Sequence, residues 1–89
     1  MITAFNTMFK NESKLLNQVL KIWKNYQIDY FIFYDDNSTD NSIDIIKTHL
    51  DENKIIIIND KLSSFNESYQ RQRMLDVSRS LNVDIVWLS

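Results

Sequence analysis

The chain has 89 residues, no cysteine, one histidine and a formal charge of −2, with 44% hydrophobic and 25% charged residues. This length and composition are typical of one soluble globular domain and exclude a two-domain enzyme. The charge gives no electrostatic reason to bind nucleic acid, and the residue counts exclude a disulfide framework, a cysteine nucleophile and a histidine-rich or cysteine-ligated metal site.

The N-terminal half of the chain predicts two strand–helix units. After a short strand at residues 2–9, apolar residues recur at helical spacing, which indicates an amphipathic helix capped by Asn11 or Ser13. Its apolar face contains Leu15, Leu16, Val19, Leu20, Trp23 and Tyr26. Residues 30–34 form an apolar run typical of a parallel strand covered on both faces. A second helix follows, with Ser38 as its predicted N-cap. Its buried face is predicted to contain Ile43, Ile46 and Leu50.

The C-terminal half predicts a third strand, a third helix and a fourth strand. Residues 54–59 hold four consecutive isoleucines, which favours a short buried strand over a helix. A loop at residues 60–65 then leads to the third helix. The apolar face of this helix contains Tyr69, Met74, Val77, Ser78 and Leu81. The last strand begins at Val83 and ends at Leu88. The order βαβαβαβ predicts an α/β fold, a Rossmann-like three-layer structure with a parallel sheet.

The end of the chain bears on domain organisation and on assembly. If the strand order is 3-2-1-4, as in the common doubly wound arrangement, the fourth strand lies beside the first and leaves its outer edge unpaired. Because the chain stops at the carboxyl end of that strand, residues 1–89 are expected to form one apparently truncated domain. The unpaired edge predicts a homodimer through residues 83–88.

Glycine and proline are both absent, where average usage would give roughly 6 and 4. Turns must therefore use other residues, and asparagine is the usual substitute where a left-handed backbone is needed. Asn53 and Asn82, each just before a predicted strand, are the candidates. The absence of glycine also excludes a P-loop and a Rossmann dinucleotide fingerprint, because both need it for tight turns and close backbone approach.

Polar turns follow the first and second predicted strands. They are Lys10-Asn11-Glu12 and Asp35-Asp36-Asn37-Ser38-Thr39-Asp40. In open α/β sheets ligands bind at the carboxyl ends of the strands, so both turns are expected at one rim. Successive strand residues point in opposite directions, so one of Asp35 and Asp36 should face the crevice and accept hydrogen bonds from a nucleobase or a ribose. An alternative stays open, in which the acids make only an Asx turn, a helix cap and first-turn dipole contacts.

Two arginines stand at the start of the third predicted helix. Arg71 and Arg73 could reach a pyrophosphate, because guanidinium groups suit phosphate oxygens. They diverge by ~200° around a helix, so at most one easily faces the site. A solvated helix face is the alternative for either.

With these elements in order, the whole chain resembles the N-terminal, nucleotide-binding half of a GT-A-fold glycosyltransferase of the family-2 type. The family's apolar strand runs into an Asn-Glu pair, matched by Phe9-Lys10-Asn11-Glu12. Its second strand runs into Asp-Asp-Gly-Ser-x-Asp-Gly-Thr, matched by Asp35-Asp36-Asn37-Ser38-Thr39-Asp40-Asn41-Ser42. Asparagine replaces both family glycines, which is tolerable because asparagine enters the left-handed region more readily than other residues. Arg73 matches the better-placed family arginine.

The resemblance implies that Asp36 contacts the base of a nucleotide sugar of the UDP or GDP type. The residues implied to line or support that pocket are Thr7, Glu12 and Asp35. Arg73, with Arg71 as a weaker match, would lie near the base or the phosphates.

The resemblance also sets what this chain should lack. In the family, an Asp-x-Asp motif that holds Mn²⁺ or Mg²⁺ on the diphosphate follows the strand matching residues 83–88, and this sequence ends before it. We therefore expect no metal ligand and no catalytic residue here, with the cation bound only in a longer parent and this fragment inactive by itself.

A non-catalytic α/β interaction or regulatory module is the rival interpretation. Receiver-like domains also gather acids at strand ends, but their phosphoacceptor aspartate follows the third strand, where this chain has Asn59 and Asp60. Binding of Mg²⁺ by the 89 residues themselves would favour this rival.

The sequence also predicts where the protein is found. The N-terminus lacks the basic region and apolar core of a signal peptide, and no apolar run approaches the ~20 residues that span a bilayer. We therefore expect a cytoplasmic protein with no membrane segment.

Overall fold

The computed structural model describes residues 1–61 and 66–88, and for Ile85, Trp87 and Leu88 the backbone alone. The chain alternates strands and helices as predicted. In chain order the elements are β1 (Thr3–Phe9), α1 (Ser13–Trp23), β2 (Tyr30–Asp35), α2 (Ser42–His49), a single 3-10 turn (Glu52–Lys54), β3 (Ile55–Ile58), α3 (Glu67–Ser80) and β4 (Ile85–Leu88). No helix in the described residues is long and apolar enough to cross a membrane.

The strands form one four-stranded parallel sheet in the order β3-β2-β1-β4. This arrangement confirms the Rossmann-like α/β fold, and its strand order is 3-2-1-4. The register places Phe9, the last residue of β1, beside Asp35, the last residue of β2. The segments that follow these two strands therefore start next to each other, which positions the site described below.

Strand β2 lies in the interior because its residues are apolar on both faces. Its four apolar residues that are at most 3% exposed are Phe31, Ile32, Phe33 and Tyr34. Alternation along the strand sends Phe31 and Phe33 to one layer and Ile32 and Tyr34 to the other. A strand buried on both sides reads as a continuous apolar run, which is why this element could be predicted from sequence.

The two faces of the sheet carry different cores. Helices α1 and α2 cover the aromatic face, where Leu20 and Ile46 are fully buried and Phe9 meets Phe33 edge to face at 6.2 Å. Burial of each such side chain contributes roughly 1.5–3 kcal/mol. Helix α3 covers the other face through Met74, in a smaller core that also encloses polar groups. Among these, Asn6 donates a long 3.4 Å hydrogen bond to Ser78 Oγ, and its Oδ1 has no partner in the part of the chain that the structure describes.

The predicted helix caps were wrong. Helix α1 begins after Glu12 without a side-chain cap, so neither Asn11 nor Ser13 caps it. Helix α2 begins after Asn41, three positions later than a cap at Ser38 would place it. Asn11 and Ser38 do not cap these helices because their side chains join the two loops instead. Asn11 Oδ1 accepts from Thr39 N, and Ser38 Oγ accepts from Asn11 N.

The turn predictions were right in part. Asn82 has a left-handed backbone with φ of 57°, as predicted, whereas Asn53 lies in the 3-10 turn and is not among the positive-φ residues. Asn37 is left-handed with φ of 58°, which suits its match to a family glycine, but Asn41 has φ of −91°. Lys61 is also left-handed, with φ of 54°.

Two residues predicted on the apolar face of the first helix are exposed. Tyr26 lies beyond the end of α1 and is 50% exposed, and Leu15 is 53% exposed. The remaining members of that face are buried or partly buried and pack against the sheet. Helical spacing overestimates the buried face because α1 contacts the sheet along only one stripe.

Candidate functional site

The loops after β1 and β2 are joined to each other by one asparagine. Asn11 Oδ1 accepts hydrogen bonds from Thr39 N at 2.7 Å and Asp40 N at 3.2 Å, and Asn11 N donates to Ser38 Oγ at 2.9 Å. The backbone of Asn11 is left-handed, with φ of 50°. The two polar turns therefore share one rim at the carboxyl edge of the sheet, as the sequence predicted.

Asp40 fixes the start of a helix on each side of this junction. Its Oδ1 accepts from Ser42 N at 3.0 Å and from the Ser42 hydroxyl, and its Oδ2 accepts from Ser13 N at 3.3 Å. The hydrogen bond from the Ser42 hydroxyl is the main reason that the pKa of Asp40 lies below its usual value. Asp40 thus acts on α1 and α2 rather than on a ligand.

The two adjacent aspartates at the end of β2 have different surroundings. Asp35 is 2% exposed, and its carboxylate accepts from Ser38 N at 2.8 Å and from Asn59 Nδ2 at 3.4 Å. Asp36 is partly buried and accepts a 3.2 Å hydrogen bond from Gln70 Nε2. Asp35 therefore holds its own turn, while Asp36 lies at a cleft.

That cleft has a volume of about 230 Å³. It is lined by Met8, Phe9, Lys10, Glu12, Asp36 and Gln70. It lies between the β1 loop, the β2 loop and the start of α3, at the carboxyl edge of the sheet, which is the edge where open α/β folds bind ligands. Thr7 is 7% exposed and lines a separate groove along α1, which Glu12 also borders. The cleft therefore gathers Glu12 and Asp36 from the predicted site residues.

A larger cavity of about 650 Å³ lies at the opposite, amino edge of the sheet. Its lining is Thr3, Phe5, Asn25, Tyr26, Gln27 and Ile28, with no carboxylate, arginine or lysine. Ligand specificity needs placed polar or charged groups, so the smaller, charged cleft is the better candidate.

The two arginines point to other partners. Arg71 makes a 2.9 Å ion pair with Glu67, one helical turn earlier, on a mostly solvated face. Arg73 donates two hydrogen bonds to Asp60, from Nε to Oδ2 at 3.0 Å and from Nη2 to Oδ1 at 3.3 Å. Neither arginine lines the cleft.

Sequence reasoning missed the group that holds Arg73. Tyr34 Oη donates to Asp60 Oδ2 at 2.8 Å, so Asp60 joins β2 to α3. Burial, and then the bond to Asp60, raises the pKa of Tyr34 to about 12. The Arg73 guanidinium holds the pKa of Asp60 below its usual value. The contact between Tyr34 and Asp60 could have been expected from the neighbouring ends of β2 and β3, because Tyr34 is in register with Ile58, two residues before Asp60.

Gln70 was also missed, and the sequence offers no clear signal for it. It is a polar residue in the most weakly patterned helix, yet it is 0% exposed and contacts Asp36. Only the packing of α3 against the sheet reveals its place.

The fold and the site together define an α/β protein with a parallel, Rossmann-like sheet and an acidic cleft at its carboxyl edge. Within residues 1–61 and 66–88, no group of three or more histidine, cysteine, aspartate or glutamate side chains is arranged to hold a metal ion. Comparison with known proteins gives no match, either to a protein-family model or among curated proteins.

The bridge between the two loops can be tested with two asparagines that share a left-handed backbone. Asn11→Gly keeps the backbone freedom but removes the carbonyl that joins the loops, so it should lower the free energy of unfolding by about 1–2 kcal/mol. Asn82→Gly is the matched control and should change it by a few tenths of a kcal/mol at most. Urea denaturation followed by tryptophan fluorescence measures both. Equal effects of the two variants would show that the Asn11 side chain contributes nothing.

The Tyr34–Asp60–Arg73 group predicts how stability varies with pH. The folded pKa of Asp60 lies below its unfolded value, so its contribution is present above about pH 4 and is lost as pH falls further. The folded pKa of Tyr34 is raised from 10.0 to about 12, so its contribution is lost as pH rises through that interval. Tyr34→Phe should remove the alkaline decline and cost about 1 kcal/mol at neutral pH.

Urea denaturation across the pH range measures this behaviour. Tyr26→Phe serves as the control, because Tyr26 is 50% exposed, and it should keep the alkaline decline. An unchanged alkaline decline in Tyr34→Phe would contradict the assignment.

Proposed function

We propose that the cleft between the joined loops binds the base of a nucleotide sugar, as in the N-terminal half of a GT-A-fold glycosyltransferase. One observation carries this proposal. Asn11 ties the β1 loop to the β2 loop, and the carboxylate of Asp36 lies in the cleft that they border. A carboxylate in that position can accept a hydrogen bond from a ring N–H of a base.

The size of the cleft supports a base as the group that is bound. At about 230 Å³ it is smaller than the ~300–1,000 Å³ of pockets that enclose whole drug-sized ligands. It can therefore enclose one planar ring, with Met8 and Phe9 supplying apolar contact, while the sugar and the diphosphate lie outside it. In this proposal Asp36 and Glu12 contact the base or ribose, and Thr7 and Asp35 support the pocket.

Arg71 and Arg73 can contact the phosphates only if each leaves the carboxylate with which it is paired, Glu67 or Asp60. Arg71 can leave Glu67 at little cost, because solvated ion pairs are worth about 0–1 kcal/mol. Arg73 is held more firmly, since the Asp60 side chain is 22% exposed and is also bonded by Tyr34. Contact between either arginine and the phosphates remains part of the proposal and needs such an exchange.

The described residues contain no group of three or more histidine, cysteine, aspartate or glutamate side chains arranged to hold the divalent cation of the transfer reaction. The proposal for this chain is therefore limited to nucleotide binding. Mn²⁺ or Mg²⁺ and the transfer of a sugar to an acceptor are proposed only for a longer protein of which these residues would be part.

Titration of UDP and GDP into the ¹⁵N-labelled chain tests the proposal. Amide signals of residues 10–12 and 35–40 should shift with one of the two nucleotides, with a dissociation constant on the order of millimolar. Asp36→Asn should weaken this binding about tenfold or more, because the carboxylate acceptor is lost. Glu52→Gln, the same change of charge at the opposite edge of the sheet, should leave it unchanged.

Shifts that are absent with both nucleotides, or that are equal in Asp36→Asn and the parent chain, would refute the proposal. Binding of Mg²⁺ alone by the chain would favour the rival receiver-like module. That rival requires a free carboxylate after β3, whereas Asp60 is already bonded by Arg73 and Tyr34.

We further propose that two copies of the chain pair through β4, in a cytoplasmic protein. Strand β4 lies at the edge of the sheet, beside β1, and an open edge is a template for another strand. Light scattering over a range of concentrations should show a mass that rises toward twice that of one chain. A mass equal to one chain at every concentration would contradict the pairing.

A further inference from the structure

Gln70 is an enclosed carboxamide that touches the cleft. It lies in the second turn of α3, is 0% exposed, and lines the cleft beside Asp36. Its Nε2 donates to Asp36 Oδ1 at 3.2 Å, and its Oε1 has no partner among residues 1–61 and 66–88. The reversed orientation of the amide would set Oε1 against the carboxylate, so Asp36 determines which way the group faces.

This arrangement is unfavourable for folding alone. A buried carbonyl oxygen without a donor costs free energy that an apolar side chain of similar length would avoid. A residue that breaks a packing rule without local compensation points to a function, here at the carboxylate that the amide holds. The same small core contains a second orphaned amide oxygen, on Asn6, but Asn6 contacts Ser78 and not the cleft.

We propose that Gln70 is a positioning residue for the nucleobase, acting through Asp36; this inference rests on the proposed function. By donating to Oδ1, the buried amide fixes the plane of the Asp36 carboxylate and leaves Oδ2 as the acceptor for a ring N–H. Gln70 is itself held by the packing of α3, with its backbone N bonded to Asn66 O at 3.0 Å. A carboxylate fixed before binding loses less rotational freedom when the ligand arrives, which raises affinity.

The ligand class follows from the acceptor that is left open. The base must present a ring N–H to Asp36, which uracil and guanine do and adenine and cytosine do not. Uridine and guanosine nucleotides are therefore expected to bind, and adenosine and cytidine nucleotides are not. The other ionisable side chains that line the cleft are Glu12, a second acceptor, and Lys10, a donor.

Gln70→Met separates positioning from packing. Methionine is similar in length and flexible enough to fill the same space, and it removes both the hydrogen bond and the orphaned oxygen. We expect the midpoint of urea unfolding to stay the same or rise, while binding of the better of UDP and GDP weakens about three- to tenfold. A residue that served only packing would not give opposite changes in stability and affinity.

A second measurement does not depend on that variant folding. The side-chain amide signals of Gln70 in the ¹⁵N spectrum should move when the nucleotide is added. They should also move in Asp36→Asn, and they should stay in place in Glu52→Gln.

The outcomes separate this inference from the proposed function. If the parent chain binds neither UDP nor GDP, both are wrong. If the parent chain binds a nucleotide and Gln70→Met binds it equally well, the positioning role is wrong and the proposed function stands. The same conclusion follows if the Gln70 amide signals move neither on addition of the nucleotide nor in Asp36→Asn. Binding of ADP or CDP as strong as that of UDP or GDP would overturn the ring N–H rule.

Discussion

The bridge that Asn11 makes between two loops is the constraint on which the site depends. Its side-chain carbonyl accepts from two successive backbone N–H groups of the β2 loop, while its own backbone turns through the left-handed region. In a chain with no glycine, asparagine is suited to both tasks, because it tolerates positive φ and carries an acceptor on a short side chain. One residue therefore joins the loops that follow β1 and β2, and these loops border the cleft.

The division of work between Asp35 and Asp36 follows from the geometry of the strand they end. Alternation turns Asp35 inward, where its carboxylate accepts from Ser38 N and from Asn59 Nδ2. Asp36, the next residue, lines the cleft instead. A single residue change in register would exchange the two roles, so the function of the doublet depends on the pairing of Phe9 with Asp35 as much as on the acids themselves.

Sequence reasoning predicted the parts of the structure that depend on local pattern. The apolar runs of β2 and β3 and the alternation of strands with helices were enough to give a parallel sheet, and its order followed that of the common doubly wound arrangement. Caps failed at Ser38 and Asn11 because a polar side chain near a helix start has several possible partners, and here tertiary contacts won. The Arg73–Asp60 and Gln70–Asp36 contacts could not be predicted, because these residues meet only after α3 packs on the sheet. The Tyr34–Asp60 contact alone had a signal, in the neighbouring ends of β2 and β3.

The charges around the cleft decide what kind of binding energy is available. Lys10 is the one basic residue that the described part of the chain contributes to the lining, and Arg73, the better arginine match by sequence, is bonded to Asp60. Two carboxylates in the same cleft oppose the approach of a diphosphate, so phosphate attraction contributes little here. The affinity of these residues for a nucleotide must then come from the base, through a hydrogen bond to Asp36 and apolar contact with Met8 and Phe9. This reasoning explains why weak binding is expected and why the orientation of one carboxylate, held by one buried amide, matters to it.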